Sequence, residues 1–162
     1  MAMDMFIEIK GADGETKDSV FKGKKAIDVL AWSWGLSNSS SAQLGGGVGA
    51  GKANFQDLSF THYVDTATSF LMMFCATGKV IDEIKLTCRK AGGTALEYIV
   101  ITLNECMITS CSTGGSGGED RITENVSLGF AKVKFDYQPQ NDKGGKEGAV
   151  KTFTYDLKQN KK

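Results

Sequence analysis

The stretch Gly46-Gly47-Val48-Gly49-Ala50-Gly51-Lys52-Ala53 carries the GxxxxGK core of a phosphate-cradling loop. In such a loop glycine N–H groups surround a polyphosphate and the lysine reaches its terminal oxygens. The chemistry stops at the next residue, because Ala53 stands where a Ser or Thr hydroxyl would bind magnesium. The flanks also read wrongly: NSSSAQL before the loop is no buried strand, and NFQDLSF after it alternates like a strand instead of opening a helix whose N-terminus could hold phosphate.

His62 is the sole histidine, so any Ser-His-Asp or Cys-His device must use it, and no spacing brings Cys75 or a serine to it. It reads as a structural histidine. Cys75, Cys88, Cys106 and Cys111 contain no CxxC pair and no zinc rhythm, which leaves them as reduced thiols packed like small hydrophobes. The adjacent acids Asp82-Glu83 and Glu119-Asp120 point apart on a strand or turn and make no glycosidase pair. In Gly117-Gly118-Glu119-Asp120-Arg121 the arginine can instead fork onto a carboxylate, fixing a loop or joining subunits. Trp32 and Trp34 could stack bases or sugars, but two residues apart on a strand they read as core or interface.

The elements that must position these residues are mostly strands. The 162 residues carry formal charge +0, with 41% hydrophobic and 23% charged side chains. That is enough to bury one core and offers no global field for nucleic acid or an anionic membrane. No apolar run is long enough for a membrane helix, and the start has no secretory leader pattern, so no membrane insertion is expected. Period-two alternation marks strands at Phe6 to Ile9, Ile27 to Trp34, Phe55 to Tyr63, Ile84 to Arg89, Leu96 to Ser112, Val126 to Tyr137 and Val150 to Leu157. Along Leu96 to Ser112 the apolar parity slips between Leu103 and Cys106, which requires a bulge near Asn104 or Glu105, and a second slip points to Gly129. One helix is expected over Thr66 to Thr77, with Ala67, Phe70, Leu71, Phe74 and Cys75 inward, Asp65 or Thr66 capping it and Gly78 ending it. Leu36 to Ala53 is a long glycine-rich loop. The reading is mainly β, a compact barrel of bulged antiparallel strands over 1–157, with a long loop at 36–54 and a polar, frayed tail at 158–162.

Several of these segments, in order, resemble one family. They are Ile27 to Gly35 (IDVLAWSWG), the Gly45 to Lys52 loop with QDLSFT after it, RKAGG from Arg89, STGGSGGEDR from Ser112, TENV from Thr123 and DYQPQ from Asp136. Together they are similar to the haemolysin-coregulated protein (Hcp) family, tube proteins of the bacterial type VI secretion system. The resemblance implies a β-barrel with one short α-helix, related to phage tail-tube proteins. It implies a homohexameric ring stacking into a hollow tube that a contractile sheath propels behind a spike protein, with small effectors in the lumen. It implies residence in the cytoplasm before firing and export through the secretion system without a signal peptide, and it implies neither catalysis nor a cofactor or metal. The rival reading is a monomeric β-barrel that binds a small ligand under glycine-rich lids.

Within the tube reading, Ser33 and Ala31 share the face opposite the two tryptophans and are expected to line the lumen and contact cargo. Ring or stacking contacts are expected from Leu44, Gly46, Gly47, Val48, Gly49 and Lys52 in the first loop and from Glu119, Asp120 and Arg121 in the second. Deleting Gly46 to Gly49 should shift the sedimenting particle from ring toward monomer; an unchanged ring would count against that role.

Overall fold

The structure is a computed structural model that describes residues 3–39, 51–90 and 94–162. In chain order it contains β1 (Met3–Ile9), β2 (Ile27–Asp28), β3 (Ala31–Ser33), β4 (Leu36–Ser37), β5 (Asn54–Phe55), β6 (Leu58–Tyr63), α1 (Thr68–Thr77), β7 (Ile81–Lys90), β8 (Glu97–Thr113), β9 (Thr123–Gly129), β10 (Lys132–Tyr137) and β11 (Lys151–Asp156). The main sheet pairs in the order β2-β1-β7-β8-β9-β6-β3, with β10 on β8 and β11 on β10. This ladder is an open path, so the fold is mainly β with one short helix as expected, but its sheet does not close into the expected barrel. Its ends, β2 and β3, are joined only by Val29 and Leu30, whose N–H groups donate to Met5 O at 2.9 Å and Thr61 O at 2.8 Å. The chain therefore crosses the seam itself, and the single strand expected over Ile27 to Trp34 is two short ones because the segment changes neighbours midway.

β8 belongs to both halves of the fold. Asn104 is its last residue paired to β10, and Met107 its first paired to β9. Between them Glu105 sits at φ +51°, in the left-handed region that side chains seldom adopt. The turn there moves the buried set from Ile101 and Leu103 to Cys106 and Ile108, so both halves of one strand face the same interior. The expected slip of parity is thus present at Glu105, but not as a bulge: the register to β7 runs unbroken from Leu103 opposite Ile84 to Cys106 opposite Ile81, and β8 bulges instead between Ile108 and Ser110, opposite β9. The second slip takes another form: β9 ends at Gly129 and β10 starts at Lys132, a break at Phe130 and Ala131 instead of a bulge. It lies opposite the kink in β8, where neighbouring strands part.

The interior is filled by Ile7, Ile27, Leu58, Phe60, Leu86, Ile101, Leu103 and Leu128, all buried, with α1 laid on β8. Burying each such side chain contributes about 2 kcal/mol. α1 is entered through Asp65, whose Oδ1 accepts the Ala67 N–H at 2.9 Å, and leaves through Gly78 at φ +66°. Its inward line is Ala67, Leu71 and Phe74, whereas Phe70 is 49% exposed. The helix lies on one strand edge, so the apolar face seen in the sequence is wider than the face actually covered.

A smaller core of Phe6, Phe21 and Ala26 covers the opposite face of β1 and β7. It explains why Thr87 and Arg89, which alternate along the strand with the apolar Ile84, Leu86 and Cys88, are also buried. The Phe6 and Phe21 rings stack with centroids 4.2 Å apart, and the Arg89 guanidinium lies over both. Arg89 pairs with Asp18 and, at 3.1 Å, with Asp4. Asp18 Oδ1 also accepts the N–H groups of Val20 and Phe21, which folds the 10–26 excursion back onto the sheet. Gly14 approaches the Ala26 carbonyl too closely for any side chain. At the other end of the chain the lysine-rich tail, expected to fray, turns back so that Lys161 pairs with Asp156.

The hydrogen bond from Arg89 holds the Asp18 carboxyl at about 2, against burial that pushes it up and with help from the two backbone N–H groups. A depressed carboxyl contributes stability above its unfolded value near 4, and that contribution is lost as pH falls toward 2. Asp18→Asn should cost about 2 kcal/mol at neutral pH in urea unfolding and flatten the acid limb below pH 4. An unchanged acid limb would mean that another carboxyl controls it.

Candidate interaction surfaces

β3, β6, β9 and the second half of β8 form a sheet whose inner face is apolar apart from the buried pair His62 and Glu124. Its outer face follows from register alone. Ser33 pairs with Ser59, Ser59 with Ser127 and Ser127 with Ser110, giving one row of serines across the strands. The next row is Ala31, Thr61, Asn125 and Ser112. These positions are exposed or half-buried, and none carries a charge or a large apolar group. Within the rows the Ser59 and Ser127 hydroxyls are 3.0 Å apart, and Thr61 Oγ1 donates to Asn125 Oδ1 at 2.6 Å. Such a surface is wet, short-armed and electrically neutral.

The outer face of the other half differs. There the register runs Glu8, Lys85, Thr102, Lys134 and Thr154, mixing both signs of charge. One subunit thus presents a neutral hydroxyl face and a charged face.

Ser33 and Ala31, the residues expected to meet cargo, are both exposed on the neutral face. Their partners Ser59, Thr61, Ser110, Ser112, Asn125 and Ser127 were not singled out from sequence. Each lies at the parity opposite an apolar residue, but only the strand pairing brings them to one patch. Trp32 and Trp34 lie partly buried against the core, Trp34 beside Phe55, Phe130 and Phe135. Leu44, Gly46, Gly47, Val48 and Gly49 lie outside the described residues. Lys52 is exposed just before β5, which confirms that strand and not helix follows the GxxxxGK core.

Glu119, Asp120 and Arg121 stand exposed at the tip joining β8 to β9. Arg121 makes no carboxylate fork among the described residues; its guanidinium lies 3.8 Å from the Tyr63 ring centroid, a cation–π contact. Tyr63 shares the parity of Ser59 and Thr61, so this pair marks one rim of the hydroxyl face.

No group of three His, Cys, Asp or Glu suited to a metal ion occurs among the described residues. His62 is fully buried, its Nε2 3.1 Å from Glu124 Oε1. The thiols are unactivated: burial raises Cys88 to about 11 and Cys106 to about 12, while burial and the Glu124 carboxylate raise Cys111 to about 12. All four cysteines are free. No described helix is long and apolar enough to cross a membrane.

The described residues make a mainly β fold with one short helix and a neutral hydroxyl face on one part of the sheet. The family model "Type VI secretion system effector, Hcp" matches residues 6–137, and the chain belongs to the Hcp family of type VI secretion tube proteins. It is 55% identical over 161 residues to protein hcp1 of Pseudomonas aeruginosa, covering 99% of this chain and 98% of that one. The crystal structure of Hcp1 from Salmonella typhimurium superposes with a TM-score of 0.79 at 37% identity, covering 99% of each chain. A type six secretion system protein superposes with a TM-score of 0.90 at 28% identity, again over 99% of each. These likenesses support the tube subunit over the monomeric ligand-binding barrel.

Iodoacetamide at pH 8 should alkylate the native protein at Cys75 alone, with Cys88, Cys106 and Cys111 at least about a hundredfold slower until denaturant is added, since only thiolates react. Rapid native labelling of Cys111 would contradict its placement against Glu124.

Proposed function

We propose that six copies close into a ring with the hydroxyl face turned inward, and that rings stack into the inner tube of a type VI secretion apparatus. The observation that carries this reading is the pair of uncharged rows, Ser33 to Ser110 and Ala31 to Ser112. A channel wall must let polypeptide cargo bind and leave, and short hydroxyls meet it through water without an ion pair or an apolar anchor. The charged opposite face then turns outward to the contractile sheath. The chain acts as one domain, by shape and assembly and without catalysis. It resides in the cytoplasm before firing and is exported with the spike protein. Effectors are held in the lumen against Ser33 and Ala31, and the loops bearing Lys52 and Glu119, Asp120 and Arg121 make contacts between copies.

Analytical ultracentrifugation with negative-stain imaging tests the ring: an annulus of six subunits with an open centre is expected, and a monomer at high concentration would overturn it. Ser33→Glu should leave that annulus intact while reducing effector co-purification by about tenfold or more, the size of a missing or repelled polar contact. Unchanged retention would remove Ser33 from the lumen.

A further inference from the structure

Beneath the hydroxyl rows the sheet buries charge. His62 on β6 and Glu124 on β9 are register partners with fully buried side chains, and Glu124 Oε1 is 3.1 Å from His62 Nε2. The same oxygen accepts the Cys111 thiol of β8 at 3.3 Å. On the other side of the imidazole, Asp65 Oδ2 lies 3.8 Å from Nδ1. Nδ1 and Glu124 Oε2 are shielded from solvent and have no hydrogen-bond partner among the described residues. The titratable groups facing the ring are therefore Glu124 from β9, Asp65 from the turn into α1, and Cys111 from β8 with Cys75 of α1 behind it. Phe60 supplies an apolar wall, 5.5 Å between centroids.

A neutral imidazole has one N–H and can serve only one of the two carboxylates, whereas the doubly protonated ring presents an N–H to each. Asp65 also builds the entry to α1: its Oδ1 accepts the Ala67 N–H, and its own N–H donates to Thr68 Oγ1 at 3.1 Å. We propose that His62 is a proton-operated latch: doubly protonated, it ties Glu124 of β9 to Asp65 at the head of α1, and loss of one proton frees Asp65 and loosens that end of the helix. Burial alone would depress the histidine, but the two carboxylates, Asp65 3.8 Å from Nδ1 and Glu124 accepting from Nε2 at 3.1 Å, outweigh it and the net direction is upward. A raised histidine contributes stability in full below its unfolded value near 6.5 and loses it as pH climbs through the folded value. The latch lies inside one subunit and does not depend on the ring.

Imidazole NMR and amide exchange of the full chain across pH 5 to 10 test it. His62 should carry cationic shifts at pH 6.5. Protection at Thr68 and Leu71, corrected for intrinsic base catalysis, should fall by up to tenfold per pH unit through the His62 titration. Asp65→Asn keeps an oxygen for the Ala67 N–H while removing the charge; it should lower the His62 midpoint and abolish the pH dependence at the helix. A neutral ring at pH 6.5 in the wild-type chain overturns the latch, as does helix protection that ignores the His62 titration.

Discussion

The fold depends on one residue-wide change of direction in β8. A strand exposes alternate residues to alternate faces, so a long strand serving two differently oriented sheets would turn its apolar set outward in one of them. Glu105, in the left-handed region, turns the strand and keeps Leu103 and Cys106 on the same side. At that point β10 gives way to β9 as the neighbour. Ion pairs from Glu105 to Lys132, at 3.9 Å, and to Lys158 hold the kink from outside.

That change of partner separates the two outer faces. The half of β8 before Glu105 carries the mixed-charge rows, and the half after it contributes Ser110 and Ser112 to the neutral ones. The division also decides where buried charge is tolerated. Glu124 enters the interior only because His62 faces it across the ladder, and breaking such a pair from one side costs about 3 to 5 kcal/mol.

Much of this was legible in the residues. Leu58, Phe60 and His62 share a parity that is buried throughout, Gly78 ends the helix, and the slip at Asn104 or Glu105 follows from counting apolar positions. What escaped depends on contacts distant in sequence. Arg89 alternates like a surface residue, and its burial comes from Phe21 folding over it from a different part of the chain. Arg121 follows two acids, yet Tyr63 from another strand offers its ring first. Ser33 and Ala31 could be assigned a face from the tryptophans beside them, but the rows they belong to require the pairing of four strands.

The seam at Val29 and Leu30 has a consequence for how the molecule comes apart. Where the chain crosses from one sheet edge to the other, the end strands β2 and β3 are tethered to each other through two hydrogen-bonded residues, so neither can swing far from the other. β11 has the opposite character: it pairs with β10 alone, and most of its residues are exposed. The C-terminal hairpin is therefore the end of the sheet best placed to open locally, while the serine-bearing strands stay paired.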